Sequence, residues 1–92
     1  MKNNEQLNLI AGSFSGEEAK EILMNVFSTK IQFHKVKNFV AQERNGTPDE
    51  KTNNRIAELQ KEIEKIIQVT ANAQQNNKRL LLQAVVNIEL ID

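Results

Sequence analysis

Apolar residues recur at helical spacing in two long stretches of the chain. Between residues 15 and 45, and again between 48 and 77, they follow alternating steps of three and four residues. The first series is Ala19, Ile22, Val26, Thr29, Phe33, Val36 and Val40, and the second is Thr52, Ile56, Leu59, Ile63, Ile66, Thr70 and Ala73. Such a repeat places one narrow stripe along a helix and is typical of coiled coils. The sequence therefore predicts two long helices that carry one stripe each.

The ends of both helices carry capping signals. Ser15 is followed by a glutamate three residues later, which is the capping-box spacing at a helix start. Gly46 supplies a left-handed stop for the first helix. Thr47, with its own glutamate three residues later, predicts an N-cap for the second helix, and Pro48 fits the first helical position.

The very short connection at Gly46 predicts a helical hairpin. When the chain folds back there, each stripe position of the first helix falls opposite one of the second. The pairs run from Val40 with Thr52 near the tip to Ala19 with Ala73 at the open end. We therefore expect the two stripes to pack against each other along the whole antiparallel hairpin.

Both chain ends alternate between apolar and polar residues, which predicts a strand at each end. In residues 80–91 one face carries Leu80, Leu82, Ala84, Val86, Ile88 and Leu90. In residues 6–11 one face carries Leu7, Leu9 and Ala11. A helix over the last stretch is the competing interpretation, but its Val and Ile content favours a strand. The predicted fold class is α+β in the order β-α-α-β, as one domain over residues 1–92.

The predicted sheet is too small to be stable in isolation. The last strand, at about 11 residues, is longer than the first, at about 6, so part of its edge is expected to lack a partner. We therefore expect a homodimer or a larger oligomer that completes the sheet. The candidate interface is Leu7, Leu9, Leu80, Leu82, Ala84, Val86, Ile88 and Leu90.

Composition argues against several classes of protein. The chain of 92 residues has 12 basic and 12 acidic side chains, so no net field favours nucleic acid or an anionic membrane. It has no cysteine and no apolar run near the roughly 20 residues of a membrane span. We expect a cytoplasmic protein, and the abundance of Asn, Lys and Ile hints at an AT-rich bacterial genome.

A basic row on the first helix is the candidate polar site. Lys30, His34, Lys37 and Arg44 recur at helical spacing, a pattern that suits anions or nucleic acid. The competing interpretation is a solvated flank of the hairpin, where lysine stems cover apolar neighbours. Few aromatic residues and the acidic second helix favour this interpretation. His34 has no other ligand at metal-binding spacing.

The sequence has no nucleophile–base set, phosphate loop or metal motif. We therefore expect no catalytic residue, no cofactor and no metal. The favoured function is a small homo-oligomeric interaction or assembly protein whose helical arm or free strand edge holds another protein. The alternative is a nucleic-acid-binding accessory protein that uses the basic row. Phe39 lies off the stripe and either stacks on Arg55 or marks a contact surface.

Overall fold

A computed structural model describes residues 4–47 and 49–92. Its elements are β1 (Asn4–Phe14), α1 (Gly16–Asn45), α2 (Glu50–Gln75) and β2 (Leu80–Glu89). The two helices pack as an antiparallel hairpin, and the two strands pair antiparallel in one sheet. The predicted α+β class and the order β-α-α-β are therefore confirmed.

Local sequence explains where α1 begins and ends. The Ser15 backbone N–H donates to the Glu18 carboxylate at 3.0 Å, and the Glu18 N–H donates to the Ser15 hydroxyl at 3.1 Å. These bonds from Ser15 lower the pKa of Glu18. At the other end Gly46 has a φ of 77°, a left-handed conformation that glycine adopts without a steric penalty. Both predicted signals are present in the structure.

α2 begins later than predicted. Thr47 lies outside the helix, and Asp49 is the N-cap instead, with its carboxylate accepting a bond from the Thr52 hydroxyl at 2.8 Å. This bond lowers the pKa of Asp49. A carboxylate is a stronger acceptor than a hydroxyl at the positive end of a helix, which explains the choice. The prediction for Pro48 lies outside the described residues, and the helix ends at Gln75, before the predicted residue 77.

The two strands have nearly equal lengths. β1 covers 11 residues and β2 covers 10, so the predicted difference between them is wrong. β1 is longer than predicted because polar residues beyond both predicted ends, such as Asn4 and Ser13, pair with β2. Among the described residues the sheet has these two strands alone, so each strand still has one outer edge without a backbone partner.

A bulge in β1 changes which residues share a face. Leu9 has no partner residue in β2, and the pairing shifts by one position between Asn8 and Ile10. A shift of one residue exchanges the two faces of a strand. Leu7 and Ile10 therefore lie on the same face, and Ala11 lies on the other, so the predicted common face of Leu7, Leu9 and Ala11 is wrong.

α2 buries the stripe that the sequence predicted. All seven positions from Thr52 to Ala73 are buried or half-buried, and every other residue of α2 is exposed. The two threonines in the stripe satisfy their hydroxyls locally. Thr52 donates to Asp49, as above, and Thr70 donates to the carbonyl oxygen of Ile66 at 2.7 Å. Neither threonine hydroxyl is therefore left without a hydrogen-bond partner.

α1 does not pack through its predicted stripe. Only the first two positions are covered, and Val26, Phe33, Val36 and Val40 are between 36% and 58% exposed. The covered positions beyond them are Leu23, Met24, Phe27, Ile31, His34, Asn38 and Ala41. Among them Leu23, Phe27 and Ile31 continue from Ala19 in steps of four, and each such step turns the line of contact by about 40°. The predicted pairing of the two stripes is therefore wrong on the α1 side.

Contacts at the two ends of the hairpin fix this rotation of α1. At the open end a β-carbon on Gly16 would lie 2.7 Å from the carbonyl oxygen of Thr70, so the backbones are in close approach. Near the tip the Asn38 amide accepts from the Asp49 backbone N–H at 2.8 Å and donates to the Asn53 side chain at 2.7 Å. Both contacts require one side of α1 to face α2.

The hairpin and the sheet point along different axes. The principal extents of the molecule are 50 × 39 × 14 Å. A helix of 30 residues is about 45 Å long and a strand of 11 residues about 37 Å, so neither arm lies over the other. The molecule has the shape of an L, with the first turns of α1 and the last turns of α2 at the corner.

Candidate interaction surface

The molecule has little interior. Among the described residues the buried ones are Gly16, Ala19, Ile31, Thr52, Leu59, Thr70 and Ala73. The solvent-accessible surface is 7532 Å². A compact monomer of 10.5 kDa exposes about 5400 Å². The isolated chain therefore exposes about 2100 Å² more than a compact protein of its mass.

The first part of this excess is a stripe on α1. We call it the α1 stripe, and it consists of Ile22, Val26, Thr29, Phe33, Val36 and Val40. Val26, Thr29, Lys30 and Phe33 line an open apolar groove along it. The Lys30 ammonium lies 5.0 Å from the centre of the Phe33 ring, where its charge is attracted to the ring face. Val26 also borders α2, since it lines a groove with Arg55 and Leu59, and the later stripe positions are exposed.

The second part is the inner face of the sheet, which is the face turned toward the hairpin. It carries Leu7, Ile10, Phe14, Leu80, Leu82, Ala84, Val86 and Ile88. The members next to the corner, from Leu80 to Ala84, are half-buried. Leu7, Val86 and Ile88 are exposed because the sheet extends past the hairpin.

Two residues of the predicted interface are placed differently. Leu9 lies at the bulge, and Leu90 follows the end of β2, and both are exposed. On the outer face of the sheet Leu81 and Val85 are exposed as well. The two-stranded sheet therefore presents apolar side chains to solvent on both faces.

The α1 stripe and the inner face meet at the corner of the L. A groove of about 260 Å³ lies there, lined on the helix side by residues that include Leu23, Ile66 and Val69 and on the sheet side by Leu80, Leu81 and Leu82. Leu23 is one turn before Val26, where the open groove of the α1 stripe begins. The stripe, the corner and the inner face thus form one continuous concave surface, which we call the concave surface.

The basic row does not form a single site. Lys30, Lys37 and Arg44 are exposed, but both ring nitrogens of His34 are buried and have no hydrogen-bond partner. Desolvation is the main cause that lowers the pKa of His34, followed by the charges of Lys30, Lys37 and Arg55. The imidazole is therefore neutral at pH 7 and belongs to the helix–helix contact.

Phe39 does not stack on Arg55. The Arg55 guanidinium pairs with the Glu58 carboxylate at 2.9 Å on the surface of α2. The Phe39 ring is 62% exposed. The predicted stacking is therefore wrong, and the role of Phe39 in a contact surface stays a prediction.

The role of Asn38 is one that its sequence context did not predict. Its amide joins α1 to the start of α2 through the two hydrogen bonds described above. An asparagine in a polar stretch resembles any solvated residue. One signal was available, because Asn38 lies seven residues after the buried Ile31 and so on the same side of α1.

The side chain of Arg79, between α2 and β2, is paired with Ser13 of β1. The Arg79 guanidinium donates to the hydroxyl and the carbonyl oxygen of Ser13, both at 2.9 Å. In residues 4–47 and 49–92, no group of three or more His, Cys, Asp or Glu side chains is placed to hold a metal ion. Neither helix, in the part of the chain that the structure describes, is long and apolar enough to cross a membrane.

Comparisons of this chain with protein families, with curated protein sequences and with solved structures gave no match.

Proposed function

We propose that this protein is a small, non-catalytic interaction or assembly protein that works as a homo-oligomer. The observation that carries the proposal is the excess of about 2100 Å² of exposed surface in the isolated chain. A standard protein interface removes about 800 Å² from each partner. The excess of exposed surface is therefore larger than the area that such an interface removes from one partner.

The kind of surface also supports association. The exposed residues of the α1 stripe and the inner face are large and apolar, and they are contiguous across the corner. Contiguous apolar patches on this scale mark interaction sites rather than free surface. The outer strand edges add unpaired backbone groups, which accept another strand. A second copy supplies both the apolar cover and the missing strands.

A scaffold role follows from what the assembly would leave exposed. The outer face of the sheet, with Val85, stays free when the concave surface is covered. That face suits a different protein. The basic row gives weaker support to nucleic-acid binding, because its histidine is neutral and buried between the helices.

Light scattering and thermal unfolding over a hundredfold range of protein concentration test the proposal. We expect the mass of a dimer or a larger oligomer, and an unfolding midpoint that rises with concentration, since association stabilises the folded chain by mass action. A monomeric mass together with a constant midpoint would contradict the proposal. Binding of mixed RNA or DNA that weakens steeply with salt would instead favour the alternative function.

A further inference from the structure

We infer that two copies associate through the α1 stripe with their α1 helices parallel and in register. In this dimer the two hairpins form a four-helix bundle, and both sheets lie at the same end of it. The inference rests on the proposed homo-oligomer and specifies how its subunits face each other.

The α1 stripe has the pattern of a coiled-coil seam. Its residues follow strictly alternating steps of four and three, with Val26, Phe33 and Val40 in one heptad position and Ile22, Thr29 and Val36 in the other. Beyond Ile22 they are exposed, although α2 is packed on the neighbouring side of the same helix. A seam of this regularity fits a second helix with the same repeat.

The charges beside the stripe decide the direction. One flank is cationic, with Lys30, Lys37 and Arg44 seven residues apart. The other flank is uncharged, with Asn25, Gln32 and Phe39 seven residues apart. In an antiparallel pair each flank meets its own copy, so cations would face cations. In a parallel pair the cationic flank of one helix meets the uncharged flank of the other. Arg44 then faces the partner's Phe39, where the cation is attracted to the aromatic ring.

The position of the sheet supports the same direction. The sheet leaves the corner on the side of Leu23, which is also the side where the α1 stripe begins. In a parallel pair each sheet therefore crosses the open end of the other hairpin, and the exposed part of its inner face covers apolar residues there. The outer strand edges of the two sheets then come side by side. In an antiparallel pair the same apolar residues would lie on the polar tip around Gly46.

Single cysteines test the direction, since the chain has no cysteine of its own. Val26→Cys and Val40→Cys lie on the stripe, about 21 Å apart along the helix. In the parallel dimer each variant meets its own copy, so both are expected to form a disulfide dimer with themselves under mild oxidation. Lys35→Cys, exposed away from the stripe, is the matched control and is expected to stay uncross-linked.

The outcomes separate this inference from the proposed function. Cross-linking of both stripe variants with themselves supports the parallel arrangement. Cross-linking only in a mixture of the two variants means an antiparallel pair and overturns it. An oligomeric mass with no cross-linking of either variant also overturns it, while the homo-oligomer stands. A monomeric mass would overturn both the parallel arrangement and the proposed homo-oligomer.

Discussion

α1 and α2 carry equally regular stripes, yet only α2 buries its stripe within the chain. On α2 every stripe position from Thr52 to Ala73 is covered, and nothing else is. On α1 the stripe is open to solvent from Val26 onward, and the helix packs on α2 through the neighbouring side, which includes Ile31 and His34. A heptad repeat therefore does not by itself show that a helix packs through that stripe within its own chain.

The difference has a physical cause in the side of α1 that is covered. Besides apolar residues such as Ile31, that side carries Gly16 at the open end and Asn38 near the tip. Gly16 permits close approach to α2, and Asn38 satisfies the backbone where α2 begins. These contacts hold the hairpin together through geometry and hydrogen bonds. The α1 stripe is thereby left largely uncovered within the chain.

An aspartate introduced into each stripe tests this difference between the two helices most directly. Leu59 is 3% exposed in the α2 stripe, and Leu59→Asp buries an unpaired charge, which we expect to cost about 3–5 kcal/mol of unfolding free energy. That loss unfolds a domain of this size. Val36→Asp in the α1 stripe is expected to keep the helical circular dichroism of the hairpin and to lower the mass to that of a monomer.

Circular dichroism with urea titration, followed by light scattering, distinguishes the two variants. Lys61→Asp, on an exposed position of α2, is the control for added negative charge and is expected to behave as the original protein. If Val36→Asp lost its helical signal as completely as Leu59→Asp, the α1 stripe would be part of the monomer core. The contrast between the two helices would then be wrong.

A smaller effect is expected from the close approach at the open end. In Gly16→Ala the new methyl group would meet the Thr70 carbonyl oxygen and the Gln74 side chain, each at 2.7 Å. A backbone oxygen cannot move without shifting the helix that carries it, so we expect the free energy of unfolding in urea to fall by about 1–3 kcal/mol. Ala19, a turn later on the same side, shows that a methyl group is accepted where the helices have more room.

Gly46→Ala is the informative comparison for Gly16→Ala. No atom lies within 4 Å of a β-carbon there, so the only penalty is the left-handed backbone, about 1–2 kcal/mol. If Gly16→Ala were neutral while Gly46→Ala destabilised the protein, the helices would not be in close approach at the open end. The rotation of α1 would then need another cause.

Much of the fold could be predicted because its signals are local. Ser15 and Gly46 mark helix ends through partners a few residues away, and the α2 stripe is a repeat within one helix. The rotation of α1 could not be predicted, since it depends on contacts between residues far apart in sequence, such as Gly16 with Thr70. The bulge at Leu9 likewise depends on the pairing of β1 with β2, and the residues near Leu9 in the sequence do not predict it.

The candidate site shows the same division. The apolar residues of β2 were recognised from their alternation, and the stripe of α1 from its repeat. The angle between the hairpin and the sheet determines which of these residues stay uncovered. No local sequence pattern encodes that angle. His34 was assigned to a solvated row because its neighbours at helical spacing are cations, yet its ring lies on the side of α1 that faces α2. Exposure is thus the property that sequence predicted least well.

The smallest expected effect concerns His34 and the dependence of stability on pH. Desolvation, and then the cations Lys30 and Lys37 on α1 and Arg55 on α2, lower the pKa of His34 in the folded chain. The unfolded chain, with a histidine pKa of about 6.5, therefore binds more protons between the two pKa values. Stability is full above about pH 6.5, falls as the pH drops through this window, and levels off below the folded pKa.

His34→Leu is expected to remove this dependence. The change also eliminates two buried nitrogens that have no hydrogen-bond partner, so the midpoint at pH 7.5 should stay equal or rise. The measurement is the difference between thermal midpoints at pH 7.5 and pH 5.5, a range in which most carboxyl groups keep their charge. An unchanged difference in His34→Leu would mean that another group causes the pH dependence. The neutral ring between the helices would then not be what distinguishes the covered side of α1 from its open stripe.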